Sequence, residues 1–261
     1  MSDAISIISD VHVKESGDDA YLLMMDFLKH PKVQSSPKIY LLGDIFDLMV
    51  GCHKEYLENY KDYFCLLGEL LKKGHEIHYF QGNHDIYVEQ NYRDYFRQNH
   101  IKDLLFVYHD KPFVTKMWGK TFLFAHGDEI EIGNWIYKIY KAIISTSVIK
   151  FMAENILSYQ FIHGIFGRVS KSSRENNLKY DPKIIGESFR LAAKKQALNG
   201  YDYIICGHSH VKEDYIHRSS ESSNFTYLNN GYALDSKTFI HFEDGRYSFV
   251  KLSDDDSNPF F

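Results

Sequence analysis

The segment KIYLLGDIFD, residues 38–47, joins a short apolar strand to a glycine and two carboxylates. Lys38–Leu42 predicts a buried strand that ends directly at Gly43 and Asp44. Four more segments place a polar motif after an apolar run: Asp10-Val11-His12, Gly82-Asn83-His84-Asp85, Ala125-His126-Gly127-Asp128 and Gly207-His208-Ser209-His210. Because ligands of open α/β sheets bind beyond the carboxyl ends of the strands, we expect all five motifs on one rim.

Strands and helices alternate along most of the chain. Besides Lys38–Leu42, strands are predicted at Ala4–Ser9, Ile77–Phe80, Thr121–Ala125, Tyr203–Cys206, Tyr227–Asn230, Thr238–Phe242 and Tyr247–Leu252, the last of them antiparallel. Helices are predicted at Tyr21–His30, Tyr56–Lys73 and Tyr92–Asn99. This alternation is typical of a layered α/β domain.

Residues 132–200 interrupt the alternation. Apolar residues at helical spacing predict helices beginning at Ile132, near Val148–Leu157, over Phe161–Phe166 and from Pro182 through Leu198. We therefore divide the chain into a core of residues 1–131 and 201–253, an inserted helical cap of residues 132–200, and a tail of residues 254–261.

The cap differs in charge from the rest of the chain. It has 11 Lys and Arg against 4 Asp and Glu, although the whole chain has a formal charge of −5. A basic insertion in an acidic body favours an anionic partner. The alternative is a pair of basic helices whose charged faces are simply solvated.

The composition is that of a globular protein in a reducing compartment. Of 261 residues, 44% are hydrophobic and 25% are charged, so a sizeable core can form. The cysteines Cys52, Cys65 and Cys206 are widely spaced, so we expect no disulfide framework. We find neither a signal-peptide pattern nor an apolar run long enough to cross a membrane, and we expect a cytoplasmic protein.

The residue types in the five motifs favour a site for two divalent metal ions. Two such ions, about 3.5–4 Å apart, can share a hydroxide that attacks a phosphoryl group clamped between them. Asp44 is the expected bridging carboxylate, because Gly43 permits a close approach of the backbone. The mixture of oxygen and nitrogen donors suits Mn²⁺, Fe²⁺ or Zn²⁺. The candidate ligands are Asp10, His12, Asp44, Asn83, His126, His208 and His210.

Residues beside these ligands have further candidate roles. His84 can donate a proton to the leaving oxygen, with Asp85 as the carboxylate that orients it. Alternatively, His84 only contacts substrate oxygens or packs in the rim. Asp47 and Asp128 are expected to orient ligand imidazoles. Any one of the 14 histidines, taken alone, is more often structural, so the prediction of a metal site depends on the motifs occurring together.

The motifs DVH, GDIFD, GNHD, HGD and GHSH, in that order, resemble those of the calcineurin-like metallophosphoesterases. The resemblance covers most of the chain and implies a four-layer α/β/β/α sandwich with a binuclear metal centre. It also implies that the seven candidate ligands match the metal ligands of the family. His84 matches the histidine on the leaving-group side.

Within that family, the layout is similar to the UDP-2,3-diacylglucosamine diphosphatases of lipid A biosynthesis. The chain length, GDIFD, HGD and a long cap before GHSH carry this resemblance. It implies Mn²⁺-dependent cleavage of UDP-2,3-diacylglucosamine to UMP and 2,3-diacylglucosamine 1-phosphate. It also implies peripheral contact with the cytoplasmic face of the inner membrane. Those enzymes commonly have an arginine at the position of His84.

The cap combines aromatic and apolar residues with cations. Binding an acyl chain requires aromatic and apolar residues, and binding a pyrophosphate or an anionic bilayer requires cations. The alternative is that these residues only pack the cap onto the core. The candidate substrate-binding residues are Tyr137, Arg168, Ser173, Arg174 and Asn177.

Two other functions remain open from the sequence. GNHD favours a generic phosphatase, a phosphodiesterase or a nuclease, and an aromatic, basic cap could stack single-stranded nucleic acid. The last function is a non-catalytic scaffold, which would be expected to lose ligands, whereas the set is complete here.

Overall fold

The computed structural model describes residues 3–131, 142, 146–164, 181–219 and 224–252. The strands are β1 (Ala4–Ile8), β2 (Lys38–Leu41), β3 (Met49–Val50), β4 (Glu76–Phe80), β5 (Asp85–Ile86), β6 (Phe106–His109), β7 (Phe113–Met117), β8 (Lys120–Ala125), β9 (Tyr203–Cys206), β10 (Lys212–His217), β11 (Phe225–Asn230), β12 (Thr238–Glu243) and β13 (Arg246–Lys251). The helices are α1 (Asp19–Lys29), α2 (Pro31–Ser35), α3 (Lys54–Asn59), α4 (Lys61–Lys72), α5 (Glu89–Gln98), α6 (Ser147–Asn155), α7 (Pro182–Ala197) and α8 (Ala233–Ser236). Residues 159–164 are also helical.

Two sheets form the centre of the fold. The first has six strands in the order β13-β12-β1-β2-β4-β6, of which β1, β2, β4 and β6 are parallel. The second has five strands in the order β10-β11-β9-β8-β7, with β8, β9 and β11 parallel and an antiparallel strand at each edge. Strands β3 and β5 form a separate short parallel pair. Parallel neighbours end on the same side of a sheet, so the motif-bearing loops of each sheet meet at one rim.

Apolar side chains fill the space between the two sheets. Ile7 and Phe80 of the first sheet belong to the same buried cluster as Phe124 and Ile205 of the second. The sheets therefore pack face to face.

Helices cover the outer face of each sheet. On the first sheet, Phe27 of α1 and Phe64 of α4 pack with Ile39. On the second sheet, Phe189 of α7 packs with Ile204. The layers are thus α/β/β/α, and the predicted fold is confirmed.

Helix α7 lies within the predicted cap and contacts the core. The predicted cap extends to residue 200, but α7 packs on the second sheet through small residues that permit a close approach. A Cβ atom at Gly186 would lie 2.7 Å from Glu213 Oε1 of β10. Arg190 Nε also donates to Glu213 Oε2 at 3.0 Å. Residues 182–197 of the predicted cap therefore cover the outer face of the second sheet.

Other elements differ from the prediction in smaller ways. The predicted helix Tyr56–Lys73 is divided into α3 and α4 at Tyr60, whose hydroxyl donates to the Lys14 carbonyl oxygen. The sequence pattern does not predict strands β3, β5, β6, β7 and β10. Edge strand β10 begins with Lys, Glu and Asp, and charged residues are typical of an edge strand but give no apolar alternation along the sequence. Within the described parts of the chain, no helix has the length and hydropathy to cross a membrane.

Candidate metal centre

The loops that carry the five motifs contact one another directly. In the first sheet, the Asp10 amide donates to the Gly43 carbonyl oxygen at 3.2 Å. In the second sheet, the Gly207 amide donates to the His126 carbonyl oxygen at 2.7 Å. Between the sheets, the His208 amide donates to Asp10 Oδ1 at 2.8 Å. The motifs therefore meet at one place, where strands of both sheets end.

The backbone is left-handed at five of the predicted ligands. This conformation is uncommon for residues other than glycine and costs on the order of 1 kcal/mol or more. It turns the chain sharply at the strand ends, so that alternate side chains can point to the same side. The five φ angles are 53° at Asp10, 56° at His12, 52° at Asp44, 66° at His208 and 56° at His210.

Two glycines permit the close packing of these loops. A Cβ atom at Gly43, where φ is +81°, would lie 2.7 Å from His126 Nδ1 and 2.8 Å from the Gly82 nitrogen. A Cβ atom at Gly207 would lie 2.6 Å from Ser9 Oγ. Side chains at either glycine would therefore push the motifs apart.

Asp10, His12, Asp44 and His210 form one group that could hold a metal ion. His12 Nε2 lies 3.0 Å from His210 Nε2 and 3.7 Å from Asp44 Oδ2. His210 Nε2 lies 3.5 Å from Asp10 Oδ1. Within the group, the potential ligand atoms are all within 4.8 Å of one another.

Asp44, His126 and His208 form a second group of this kind. Asp44 Oδ2 lies 3.5 Å from His126 Nε2. Asn83 Oδ1 lies between the two imidazoles, 3.0 Å from His126 Nε2 and 2.9 Å from His208 Nδ1. Asp44 belongs to both groups, which is the position that a bridging carboxylate requires.

The electrostatics of these groups fit divalent cations. Asp10 and Asp44 are buried, and burial raises the pKa of Asp10. Burial acts in the same direction on Asp44, but the imidazoles of His126 and His84 outweigh it and hold the pKa of Asp44 well below its usual value. No Lys or Arg of the described residues forms an ion pair with either carboxylate. Two buried carboxylates that lie beside several imidazoles, with no Lys or Arg partner among the described residues, form a donor set that a cation would complete.

Two imidazoles of the first group favour the neutral form. Burial lowers the pKa of His12, and it lowers the pKa of His210 to about 4. A metal ligand must offer an unprotonated nitrogen, so these shifts suit metal binding.

The half-buried His84 points one nitrogen into the protein. Its Nδ1 lies 2.8 Å from the Asp47 carbonyl oxygen, which can only accept, so Nδ1 is the donor. The His84 amide donates to Asp44 Oδ1 at 2.9 Å. The ring of His84 lies 4.9 Å from the ring of His12. Nε2 is therefore the nitrogen that can face a substrate. His84, His12 and Asp47 also form a third group that could hold a metal ion.

Asp85 does not have the position expected of a residue that orients His84. Its fully buried carboxylate accepts hydrogen bonds from the Gly82 amide at 2.7 Å, the Ile45 amide at 2.8 Å and the Tyr79 hydroxyl at 2.6 Å. Burial raises the pKa of Asp85 to about 6. This carboxylate ties the loop after β4 to the loop after β2, and the Asp47 carbonyl group orients His84 instead.

The two other predicted orienting carboxylates differ in position. Asp47 Oδ1 lies 3.7 Å from His12 Nδ1, on the side of the ring expected for this role. His126 Nδ1, in contrast, lies 2.8 Å from the Leu42 carbonyl oxygen, so a backbone group occupies the place expected for Asp128. Burial acts to lower the pKa of His126, but Asp44 and then Asp128 raise it well above its usual value.

Several residues at the site were not found from the sequence. Glu131 Oε2 lies 3.6 Å from His208 Nε2, and the ring of Tyr232 stacks on His210 at 5.5 Å. Asn230 Oδ1 accepts from the Ser9 amide at 3.0 Å, and the Ser9 hydroxyl donates to Asp10. The polar run Asn229-Asn230-Gly231-Tyr232 at the end of β11 repeats the strand-then-motif pattern and was the available signal.

The described part of the cap exposes apolar side chains. Between half and two thirds of each of four apolar residues in and after helix α6 is exposed: Val148, Phe151, Ile156 and Phe161. Other cap residues, Ala153 and Ile162, pack against Val50 of β3. The predicted substrate-binding residues Tyr137, Arg168, Ser173, Arg174 and Asn177 lie outside the described residues, as do residues 254–261.

A family model for the calcineurin-like phosphoesterases matches residues 4–212. The chain belongs to this family. It is a hydrolase with a metallophosphoesterase fold, and the Asp and His groups described above could hold its metal ions.

Relatives of this phosphoesterase include two proteins named UDP-2,3-diacylglucosamine hydrolase. The one from Pseudomonas fluorescens is 22% identical over 207 residues, which cover 79% of this chain and 78% of the relative. The one from Neisseria meningitidis serogroup B is 24% identical over 213 residues, which cover 82% and 84%. Among solved structures, a phosphoesterase from E. coli aligns with a TM-score of 0.45 and 11% identity, over 96% of this chain and 93% of that one.

Proposed function

We propose that this phosphoesterase hydrolyses the pyrophosphate of UDP-2,3-diacylglucosamine. Water would add to one phosphorus while the bond from that phosphorus to the bridging oxygen breaks, giving UMP and 2,3-diacylglucosamine 1-phosphate. The observation that carries this proposal is the alignment with hydrolases named for this substrate over about four fifths of both chains. The exposed apolar side chains of the cap support it, because an acylated substrate needs an apolar surface.

The proposed metal ligands are the seven predicted residues. Asp10, His12 and His210 would hold one ion, and Asn83, His126 and His208 the other, with Asp44 shared between them. Two divalent ions held there, which we expect to be Mn²⁺, would polarise the phosphoryl oxygens and activate the attacking water. The two buried carboxylates, and the imidazoles of His12 and His210, which favour the neutral form, support this assignment.

His84 is the proposed donor of a proton to the leaving oxygen. Its Nδ1–H is held by the Asp47 carbonyl oxygen, so Nε2 can carry the transferred proton. In the similar diphosphatases an arginine commonly stands at this position and supplies a fixed charge. A histidine can supply both a charge and a proton.

Membrane contact and location are part of the same proposal. The exposed apolar side chains of α6, with Lys150 over the Tyr87 ring at 5.8 Å, form a surface that an anionic bilayer would bind. We propose peripheral binding to the cytoplasmic face of the inner membrane. The predicted residues Tyr137, Arg168, Ser173, Arg174 and Asn177 remain the candidates for contact with the substrate.

Mn²⁺-dependent release of UMP from UDP-2,3-diacylglucosamine tests this function directly. The wild-type chain and the variant Phe151→Ser are each assayed with this substrate and, in parallel, with a soluble aryl phosphodiester. Leu104→Ser is the control, because Leu104 is an apolar residue on the core that is 85% exposed, against 58% for Phe151. Removing one apolar contact of about 1.5–3 kcal/mol would raise KM for the acylated substrate at least about tenfold. We expect no change with the aryl ester or with the control variant.

The opposite result has a defined meaning. Turnover of the aryl ester without UMP release would rule out the proposed lipid substrate and support only a phosphoesterase activity. The motif GNHD, with His84 in place of arginine, favours this second candidate, a phosphodiesterase or nuclease that acts on another phosphoester.

A further inference from the structure

Each of three histidines at the centre directs one nitrogen inward and the other to an oxygen of the protein. For His12, Nε2 faces the ligand group and Nδ1 faces Asp47 Oδ1. For His126, Nε2 faces inward and Nδ1 faces the Leu42 carbonyl oxygen. An acceptor on the outer nitrogen holds the ring and makes the inner nitrogen a stronger ligand.

His208 has the reverse orientation, and its outer partner is Glu131. Nδ1 of His208 lies 2.9 Å from Asn83 Oδ1, whereas Nε2 lies 3.6 Å from Glu131 Oε2. A neutral imidazole has one N–H group. If Nδ1 binds a cation, the proton must be on Nε2, where it faces the Glu131 carboxylate.

The structure fixes Glu131 at this position. The amides of Ile130 and Glu131 both donate to the Gly127 carbonyl oxygen, at 3.1 and 3.2 Å, so the chain turns back toward the centre. Ile130 is buried against the second sheet and anchors the turn. The Glu131 side chain is 22% exposed, so water screens its charge only in part.

The charge of Glu131 lies beside the less negative half of the centre. The half with Asp10 has a carboxylate of its own besides Asp44, whereas the half with His126 and His208 has the neutral amide of Asn83. We propose that Glu131 is a positioning residue that orients His208 and strengthens ion binding in this second half. The inference rests on the proposed two-ion centre.

Calorimetric titration of the metal-free full chain with Mn²⁺ tests this role. We compare the wild-type chain with Glu131→Gln, and with Glu187→Gln as a control, because Glu187 is exposed on α7. We expect two Mn²⁺ equivalents for the wild-type chain. In Glu131→Gln, one equivalent should bind about 10–100-fold more weakly, and the other should keep its affinity.

Electron paramagnetic resonance gives a second reading that does not depend on activity. At an amount of Mn²⁺ that fills both positions of the wild-type chain, Glu131→Gln should show the spectrum of isolated ions instead of coupled pairs. Glu131→Asp keeps the carboxylate and should restore part of the affinity.

Three results would overturn the inference. They are unchanged affinity for both equivalents in Glu131→Gln, equal weakening of both, or equal weakening in Glu187→Gln. A wild-type chain that binds only one Mn²⁺ would instead overturn the two-ion centre on which the inference rests.

Discussion

Two clusters of histidines in this protein differ in the partners of their ring nitrogens. At the proposed metal centre, His12, His126 and His208 each point one nitrogen toward shared carboxylate and amide oxygens. In the space between the sheets, His78 and His109 form a second cluster at 2.8 Å. The same residue type thus occurs in a group that could hold an ion and in a group that packs the interior.

The second cluster leaves no nitrogen of His78 for an ion. Its Nδ1 faces His109 Nε2, and its Nε2 lies 2.7 Å from Glu76 Oε1. The ring is stacked on Tyr40 at 4.4 Å, and the His109 ring is stacked on Phe80 at the same distance. Within the described residues, no group of potential metal ligands includes His78. A histidine is therefore available to a metal ion when one of its ring nitrogens lies close to several other potential ligand atoms.

The change Asp44→Asn should have the largest effect on this comparison. Asparagine keeps an oxygen that can accept from the His84 amide, but it removes the negative charge shared by both ligand groups. Since divalent ions contribute several kcal/mol to catalysis, we expect loss of at least one bound ion and a fall in turnover of about 10³-fold or more. Metal content by mass spectrometry and turnover in the same sample measure both effects.

Asp44→Asn also tests the assignment of the bridge. The far-ultraviolet circular dichroism of the variant should match that of the wild-type chain, because the substitution conserves volume. A folded variant that keeps two ions and full activity would contradict the bridging role.

His84→Ala should have the next largest effect and should separate the metal ligands from the proton donor. His84 forms a third group of possible ligands with His12 and Asp47, but its Nδ1 is held by the Asp47 carbonyl oxygen. We expect metal content to be unchanged and kcat to fall on the order of 10²-fold, as when a general acid is removed. His100→Asn, which replaces an exposed imidazole, is the control for both measurements.

The two possible errors in this assignment give different results. Loss of metal in His84→Ala would make His84 a ligand. Retained metal and full kcat would make it a packing residue of the rim.

The sequence predicted the strand ends and the meeting of five motifs because these depend on local patterns. An apolar run followed by Gly43 and Asp44 can be read along the chain without knowledge of any distant residue. The partner of His126 cannot be predicted in this way, because it is the Leu42 carbonyl group and every residue has such a group. Asp85 was assigned to His84 by adjacency, but the turn directs its carboxylate to Gly82 and Ile45.

Longer-range features were also beyond the sequence patterns. Helix α7 has the periodicity of any amphipathic helix, so periodicity alone could not distinguish a cap helix from the outer layer of the core. Glu131 lies in a polar segment directly before the predicted cap, and its proximity to His208 depends on contact between distant loops. In the structure, His78 and His109 lie within strands β4 and β6 and not after them, unlike the proposed ligands.

The smallest predicted effect concerns the second cluster and the dependence of stability on pH. Burial, and then the charge of His78, lower the pKa of His109 to about 4, although Asp110 and Glu76 oppose this shift. The pKa of an unfolded histidine is about 6.5, so between these values the unfolded chain binds a proton that the folded chain does not. Stability should therefore fall as pH decreases from about 6.5 toward 4. Replacement His109→Gln should remove this contribution, on the order of 1–2 kcal/mol at pH 5 after allowance for partial exposure.

Chemical unfolding of metal-free wild-type chain and His109→Gln at pH 7, 6 and 5 separates this effect from other titrations, because the variant differs from the wild-type chain only at His109. The variant is expected to be less stable at pH 7, where it loses the ring stacking on Phe80. The decisive quantity is the change between pH 7 and 5, which should be smaller in the variant. His100→Asn should behave like the wild-type chain, since the His100 side chain is exposed and packs in neither cluster. If stability changes equally with pH in His109→Gln and in the wild-type chain, His109 takes up its proton as readily in the folded state as in the unfolded state. The cluster between the sheets would then not be the neutral, packed pair that sets it apart from the histidines at the metal centre.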